Sequence, residues 1–321
     1  MIQDKKRHIV LGGAGFIGFH LVKQLSKNGL KIIVVDNLLR GKQDNLFDKL
    51  IKESNIEFIY GDVTSYNFMH KLIEEGDIVY NLVAYNGTIN FYSEPVAVLK
   101  NTAISSIVAA EVAAKKKAFK YIYFGSSESY AGGYSLNMVP IPTPESVPLI
   151  LSDLNNPRWS YAAGKSIGEI ACHANYSQYG LNFTIFRVHN IYGPRMGFGH
   201  VIPDLIDKFT NRNGLVTGLS ETRSFMFVED TVKIVIAIAN DSNSVGQTIN
   251  IGSNEEITIR ELAEKLLKKM NLSISIIDGG NLDGSVKRRK PDIKIMQSFG
   301  DWKLISLDDG LTKMLSEAVN Y

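Results

Sequence analysis

The sequence predicts an α/β fold built on a doubly wound parallel sheet, and three observations carry that prediction. Short apolar, β-rich runs recur from residue 8 to residue 188: "HIVL", "KIIVVD", "IEFIYGD", "DIVYNLVA", "KYIYFGS" and "FTIFRV". Helix-length segments separate them, and strands alternating with helices pair in parallel with helices on both faces. The chain has 321 residues, 45% of them hydrophobic, enough for one large α/β unit or two domains and unlike a disordered or fibrous chain.

Taken in order, the first strand, "HIVL", runs through a glycine turn into a helix over 16–28. That helix places Ile17, Leu21, Val22 and Leu25 on one stripe and stops at Gly29. Residues 96–117 form a long small-residue helix and 160–178 a second one. Alanine-rich helices of this length pack closely, and a dimer contact through them is expected. After about residue 189 the alternation lapses into "NIYGPRMGFGH", a helix over 201–211, "TGLSETRSFMFVEDT", a strand "QTINIG", a helix over 258–270 and the basic, loop-rich "GSVKRRKPD". No long linker, repeat or low-complexity stretch intervenes. The expected division is 1–188, with a return segment near 229–252, and 189–321, the latter capping the strand ends instead of forming an independent domain.

Composition narrows the partners. A net charge of +2, from 35 basic and 33 acidic residues, sets up no field that recruits nucleic acid or anionic lipid, so an anionic ligand must be held by local groups. Cys172 is the only cysteine, which excludes a disulfide framework or a cysteine-based metal site within one chain and suits a reducing compartment. The N-terminus is polar, and apolar runs such as "IVIAIA" are too short to span a bilayer. A soluble cytoplasmic protein with no metal site is expected.

"HIVLGGAGFIGFHLV" sets strand, glycine turn and helix within one segment. Gly12, Gly15 and Gly18 fit GxxGxxG, and Gly13, Gly15 and Gly18 fit GxGxxG. Such glycines permit a tight turn, let a pyrophosphate approach bare backbone and let the helix pack on the strand, while the helix N-terminus offers N–H groups to phosphate. Asp36 ends the next strand, 18 residues after Gly18, where a ribose-binding acid belongs. It would repel a 2′-phosphate, which favours NAD over NADP, although Arg40 is placed to greet that phosphate. Asp62 in "GDV" is either an acceptor for the adenine amino group or a turn carboxylate.

"YAAGK" puts Tyr161 and Lys165 on one helix face. A lysine ammonium beside a phenol stabilises phenolate, and such a phenolate takes a proton from a sugar hydroxyl as hydride leaves its carbon. Alone, YxxxK reads as a solvated helix face; after a dinucleotide turn it reads as a reactive pair. "FGSSESYAGG", at a strand end, crowds hydroxyls, a carboxylate and a phenol into a candidate catalytic wall.

With "GGAGFIG", Asp36, "GDV", Asn101, "SSE", "YAAGK", "NIYGPRM", "TRSFMFVED" and "RRKPDI" in that order, the sequence resembles the extended short-chain dehydrogenases of the nucleotide-sugar epimerase, dehydratase and decarboxylase branch over nearly its whole length. The resemblance implies a Rossmann-type doubly wound parallel sheet with a smaller C-terminal α/β substrate-binding region, tightly held NAD, and a homodimer or higher homo-oligomer. It implies a cofactor site of Gly12, Gly15, Phe16, Ile17, Gly18, Asp36, Asn37, Asp62, Val63, Ala84, Asn101, Tyr161 and Lys165. Ser126 would polarise the reacting oxygen with Tyr161, and Lys165 would orient the nicotinamide ribose. Ser127, Asn190, Val201, Arg223 and Arg289 would hold a nucleotide-diphosphate sugar, the arginines as planar forks for phosphate oxygens. From the residues alone, Asn190 fits backbone capping as well, and Arg223 and Arg289 fit surface ion pairs.

The branch shares oxidation at the sugar C4. A 4-epimerase needs only Ser126, Tyr161 and Lys165 and is the leading expectation. Glu128 adds a base for C5 chemistry, as in a 4,6-dehydratase, and "SSE" with "RKPDI" supports a UDP-glucuronate-type decarboxylase, whereas "AYNGTINFYSEP" lacks the proline-rich loop of those decarboxylases. Net 4-dehydrogenation is a further outcome, and a non-catalytic NAD- or nucleotide-sensing protein is the alternative of another class, disfavoured by the intact Tyr161/Lys165 pair. Cys172 lies roughly 10 Å along the helix from Lys165, too far to serve as an acid/base partner. Ser129-Tyr130-Ala131 departs from the Val-Tyr-Gly usual in the family. His189 is either an extra acid/base or, more simply, a hydrogen-bonded structural histidine.

Overall fold

The six apolar runs and "QTINIG" fold into one seven-stranded sheet in the computed structural model, which describes residues 6–280 and 286–318. In chain order the first elements are β1 (Arg7–Leu11), α1 (Phe16–Lys27), β2 (Lys31–Asp36), α2 (Asn45–Leu50), β3 (Ile56–Tyr60), α3 (Tyr66–Leu72), β4 (Ile78–Asn81), α4 (Thr88–Ser93), α5 (Pro95–Lys115), β5 (Lys120–Ser126), α6 (Ala131–Ser135), α7 (Trp159–Tyr179) and β6 (Phe183–Val188). The remainder are β7 (Asn190–Tyr192), α8 (Val201–Thr210), β8 (Leu215–Val216), β9 (Thr222–Phe227), α9 (Val228–Asn240), β10 (Thr248–Ile251), β11 (Glu256–Thr258), α10 (Ile259–Lys269), β12 (Ile277–Asp278), α11 (Lys294–Ser298) and α12 (Leu307–Ala318). The first two residues of "GSVKRRKPD" lie outside the described residues.

The sheet order is β10-β6-β5-β4-β1-β2-β3. Pairing is parallel, with β1 between β2 and β4 in the registers Ile9↔Ile33 and Ile9↔Val79. Strand order therefore reverses at β1/β4, the point where open α/β sheets bind ligands outside the carboxyl ends of their strands. These strands are buried on both faces, which is why they read as continuous apolar runs.

The chain divides into two compact units. The first comprises residues up to Ser129, Asp153–Arg187 and Val232–Ile249. Its core joins sheet residues such as Leu11, Val35, Val79, Tyr121 and Ile185 to the alanine face of α5. α5 and α7 pack through small side chains: a Cβ on Gly164 would lie 2.9 Å from Thr102 Cβ, and one on Gly168 would collide with the Tyr123 hydroxyl. The sequence expectation that every apolar stretch is too short for a bilayer is corrected at α5. Its 21 residues are long and apolar enough by length and composition, because small hydroxyl residues are tolerated within it; 56% of that window is buried inside the protein.

The second unit comprises Tyr130–Ser152, Val188–Thr231 and the residues from Asn250 onward. It contains a three-stranded sheet, β11-β9-β7, and the parallel pair β12/β8. Its core gathers Tyr192, Phe209, Phe225, Phe227, Leu262 and Leu311. α10 begins at a capping box in which Thr258 and Glu261 satisfy each other's backbone N–H groups. Glycines allow the 130–152 excursion to fold on itself: a Cβ on Gly132 would strike the Ile150 carbonyl, and one on Gly133 would strike Val139.

Candidate active site

The glycine turn has the shape a dinucleotide requires. Gly12 takes φ +82°, and a Cβ there would press to 3.3 Å on the backbone of Leu82 and Val83. Its N–H donates to the Val35 carbonyl at 2.8 Å, which ties the turn to β2. A Cβ on Gly18 would collide with the Gly12 carbonyl, so the helix axis can lie this close only over glycine. α1 starts at Gly15 with no side-chain cap and no acid in its first turn, leaving Phe16, Ile17 and the next N–H groups directed outward with the positive end of the helix dipole. These features fit a bound pyrophosphate.

Asp36 ends β2 with its carboxylate held by backbone: Ala14 N–H donates to Oδ2 at 3.0 Å and Leu38 N–H to Oδ1 at 2.8 Å. Asn37 accepts from Leu39 N–H at 3.1 Å. The acid is thereby fixed beside the glycine turn, where ribose hydroxyls are recognised. Arg40 points away toward the segment after β4 and donates to Asn86 Oδ1 at 3.4 Å. Asp62 Oδ1 accepts from both the N–H and the hydroxyl of Thr64, the turn-carboxylate reading of that residue, and Val63 is buried. Asn101 folds back onto its own helix, donating to the Ala97 carbonyl at 2.8 Å.

β5 and α7 bring the reactive groups of the first unit together. Ser126 closes β5; its hydroxyl accepts the Glu128 N–H at 3.1 Å and is near enough to the Tyr161 phenol to act on its ionisation. Ser127 is buried in the 3-10 turn that follows. Phe91 of α4 stacks on Tyr161, and Ala84 and Tyr85 pack against the same cluster. Burial pushes the phenol well above its ordinary value; the Ser126 hydroxyl and the Arg40 charge favour phenolate, and the Glu128 charge opposes it.

Lys165 takes a different partner from the one its spacing suggests. It is 2% exposed, and its Nζ donates to the Phe124 carbonyl at 2.7 Å, because α7 lies directly against β5. Burial pushes its ammonium down to about 7, with Glu169 one turn further along the helix opposing that fall. Glu169 is itself engaged in a buried ion pair, with Arg187 Nη2 2.7 Å from Oε2. Glu128 pairs with Arg158, Nη2 to Oε2 at 3.3 Å.

The expected phosphate-binding groups lie in the second unit. Asn190 on β7 donates to the Ser224 carbonyl at 3.1 Å, a backbone-holding role. Arg223 on β9 donates to Glu221 Oε2 and to the Thr222 carbonyl, both at 2.8 Å. Val201 is the first residue of α8. Arg289 is 5% exposed, not a surface residue, with its guanidinium 6.0 Å from the Tyr134 ring centroid. His189 is buried: its Nε2 meets Asn250 Oδ1 at 3.2 Å, and the Tyr130 hydroxyl donates to the same oxygen at 2.9 Å. Tyr130, within the unusual Ser129-Tyr130-Ala131, is thus a buried anchor of that network.

Three residues escaped the sequence reading. Arg158 precedes Tyr161 by three positions and Glu169 follows Lys165 by four, so helical spacing alone places both beside the reactive pair. Phe91 gives no such signal, since its stack on Tyr161 is a long-range contact.

The sequence profile described as "NAD dependent epimerase/dehydratase family" matches residues 8–252. The chain is 33% identical over 280 residues to a UDP-N-acetyl-alpha-D-glucosaminuronate decarboxylase of Bacillus cytotoxicus, covering 85% of this chain and 83% of that protein. It is 31% identical over 318 residues to UDP-glucuronic acid decarboxylase 3 of Arabidopsis thaliana, covering 97% of this chain and 89% of that one. Among solved structures, the UDP-glucose 4-epimerase of Thermotoga maritima superposes with a TM-score of 0.85 at 25% identity, covering 98% and 99% of the two chains.

Proposed function

The chain belongs to the NAD dependent epimerase/dehydratase family, and from that premise we propose that it decarboxylates a nucleotide-diphosphate-linked hexuronic acid through a 4-keto intermediate. The observation that carries this reading is the Glu128–Arg158 pair next to Ser126 and Tyr161. A 4-epimerase, the reading the sequence put first, needs groups at O4 only. An additional acid and cation suit chemistry at C5 and C6, and the decarboxylases among the relatives support the same choice.

When bound, NAD would supply the acceptor for the C4 hydride and its donor in the return step. Tyr161, in its ionised form, accepts the proton of the C4 hydroxyl, and Ser126 holds the same oxygen. A C4 ketone is β to the C6 carboxylate. The C5–C6 bond therefore breaks with its electron pair passing to O4, carbon dioxide departs, and hydrogen bonds from Tyr161 and Ser126 steady the enolate. C5 then takes a proton from Glu128 in its acid form. Lys165 would orient the nicotinamide ribose, and Gly12, Gly15, Gly18 and Asp36 would hold the dinucleotide.

In this reading the first unit binds NAD, and the second, through Asn190, Val201, Arg223 and Arg289, binds the sugar nucleotide. The exposed apolar residues Leu99, Ile104 and Ile107 of α5 and Ile170 of α7 support a homodimer. A second reading, 4-epimerisation, is favoured by the segment "AYNGTINFYSEP". Incubation with UDP-glucuronate, UDP-N-acetylglucosaminuronate and their neutral counterparts decides, because decarboxylation lowers product mass by carbon dioxide whereas epimerisation conserves it. Epimerised neutral sugars with intact uronates would replace the first reading by the second.

A further inference from the structure

We propose that Arg158 is the receptor for the C6 carboxylate of the substrate, which it accepts in exchange for Glu128. The inference rests on the decarboxylase reading and deepens it.

The Ser126 hydroxyl lies close enough to the Tyr161 phenol to favour its ionised form, and in this reading O4 sits between these two groups. Glu128 lies two residues beyond Ser126, with its N–H anchored on the Ser126 hydroxyl at 3.1 Å and its charge acting on the Tyr161 phenol, and the same reading sets its carboxylate opposite the next ring atom, C5. Its cation, with Arg158 Nη2 at 3.3 Å, then faces the substituent on C5, which is C6. Arg158 directly precedes α7, with its N–H held by Asn156 Oδ1 at 3.0 Å, and so rides on the helix that carries the phenol.

The two ion pairs of this region differ in access. Glu169 and Arg187 are sealed, with side chains 6% and 7% exposed, whereas Glu128 and Arg158 keep 18% and 16%. The second pair is therefore within reach of an incoming anion yet shielded enough for charge to count. A guanidinium presents a planar fork that matches a carboxylate, and a uronate replaces Glu128 like for like. A neutral hydroxymethyl group cannot, since it brings no charge to replace that of Glu128.

The exchange also prepares the proton that C5 requires. Glu128, separated from Arg158 and set beside a second anion, favours its protonated form. The charged and titratable groups that act on or with it include Arg158, at the start of α7, and Tyr161 of α7, with Arg40 acting on the same phenol. When the C5–C6 bond breaks and carbon dioxide leaves, the Glu128 O–H proton passes to C5. The resulting carboxylate pairs again with Arg158, which resets the site.

The test is calorimetric titration of the NADH-loaded protein, which cannot begin oxidation at C4, with UDP, UDP-glucose and UDP-glucuronate, in buffers of different ionisation enthalpy. Arg158→Gln is expected to weaken UDP-glucuronate binding about 10- to 100-fold, the loss of a charged hydrogen-bond pair, and to leave UDP and UDP-glucose within about threefold. Arg158→Lys recovers part of the loss. Wild-type protein takes up about one proton with UDP-glucuronate and Glu128→Gln takes up none. Equal weakening of all three ligands, or unchanged preference for the uronate in Arg158→Gln, overturns the assignment. Failure of the wild-type enzyme to release carbon dioxide from any UDP-uronate overturns the decarboxylase reading itself, a result distinct from a decarboxylase whose Arg158→Gln variant still selects uronates.

Discussion

Phe91 lies nearly flat on Tyr161, the ring centroids 5.0 Å apart and the planes 20° from parallel. The contact covers one face of the phenol that the proposed chemistry depends on. Burial is the largest influence holding that phenol protonated, so Phe91 contributes to the barrier against phenolate. Phe91→Ala opens that face. The expected result is an ascending limb of kcat/KM that moves to lower pH, with a loss of about 3 kcal/mol in stability by urea unfolding. Phe91→Leu keeps most of the cover and shifts the limb less. A limb that stays in place in Phe91→Ala would show that the phenol is dried by other groups.

In the proposed mechanism Ser126 and Tyr161 act on one oxygen of the substrate, and they differ in what their removal takes away. Tyr161→Phe keeps the ring and its stack on Phe91 but loses the proton carrier; turnover is expected to fall by about a thousandfold or more while bound NAD is retained. Ser126→Ala removes one hydrogen bond to the oxygen and is expected to cost about 10- to 100-fold. Stopped-flow turnover, with dinucleotide content read from the denatured protein, checks both. Comparable losses of bound NAD and of turnover in Tyr161→Phe would mean a role in cofactor binding instead.

Lys165 makes stability depend on pH. Its ammonium is pulled from the ordinary 10.5 down to about 7 by burial, partly opposed by Glu169. Between those values the unfolded chain binds a proton that the folded one does not. Stability therefore rises with pH from about 7 to about 10.5, and the full penalty of charging the buried amine is present below that window. The slope from one such group is at most ~1.4 kcal/mol per pH unit. Lys165→Met removes it, so the gap between variant and wild-type unfolding free energies is expected to narrow from pH 7.5 to pH 9.5. Parallel pH dependences in the two proteins would rule the linkage out.

Much of the fold is legible in the sequence because its signals are local. The runs "KIIVVD" and "KYIYFGS" coincide with β2 and β5, since doubly covered parallel strands must be apolar throughout. Gly29 takes φ +72° at the end of α1, as a helix stop requires. Long-range contacts are not legible in this way. Spacing sets Lys165 beside Tyr161 on one face, but its partner is a carbonyl 41 residues upstream, supplied by packing of α7 on β5. The departure of Tyr130–Ser152 from the first unit likewise depends on Gly132 meeting Ile150 and Gly133 meeting Val139. Arg158 stands between the two cases: its helix position is readable, and its partner Glu128, 30 residues away, is not.

His189 illustrates how a network decides between a reactive and a structural histidine. Asn250 Oδ1 accepts from the Tyr130 hydroxyl and lies 3.2 Å from His189 Nε2, which assigns the proton to that nitrogen. The Asn250 amide in turn donates to the carbonyls of Thr143 and Asp292, each at 3.0 Å. A histidine whose Nε2 proton is committed to a buried amide is not available to exchange it with substrate. Asn250→Ala leaves a phenol, an imidazole and two carbonyls short of partners, and is expected to cost about 3 kcal/mol or more. His189→Gln can still donate to Asn250 and is expected to lower stability by about 1 kcal/mol, with kcat within about threefold of wild type. Urea unfolding and steady-state kinetics on the same preparations separate the roles. A hundredfold fall in kcat with unchanged unfolding would make His189 an acid/base residue and would require Asn250 to release it when substrate binds.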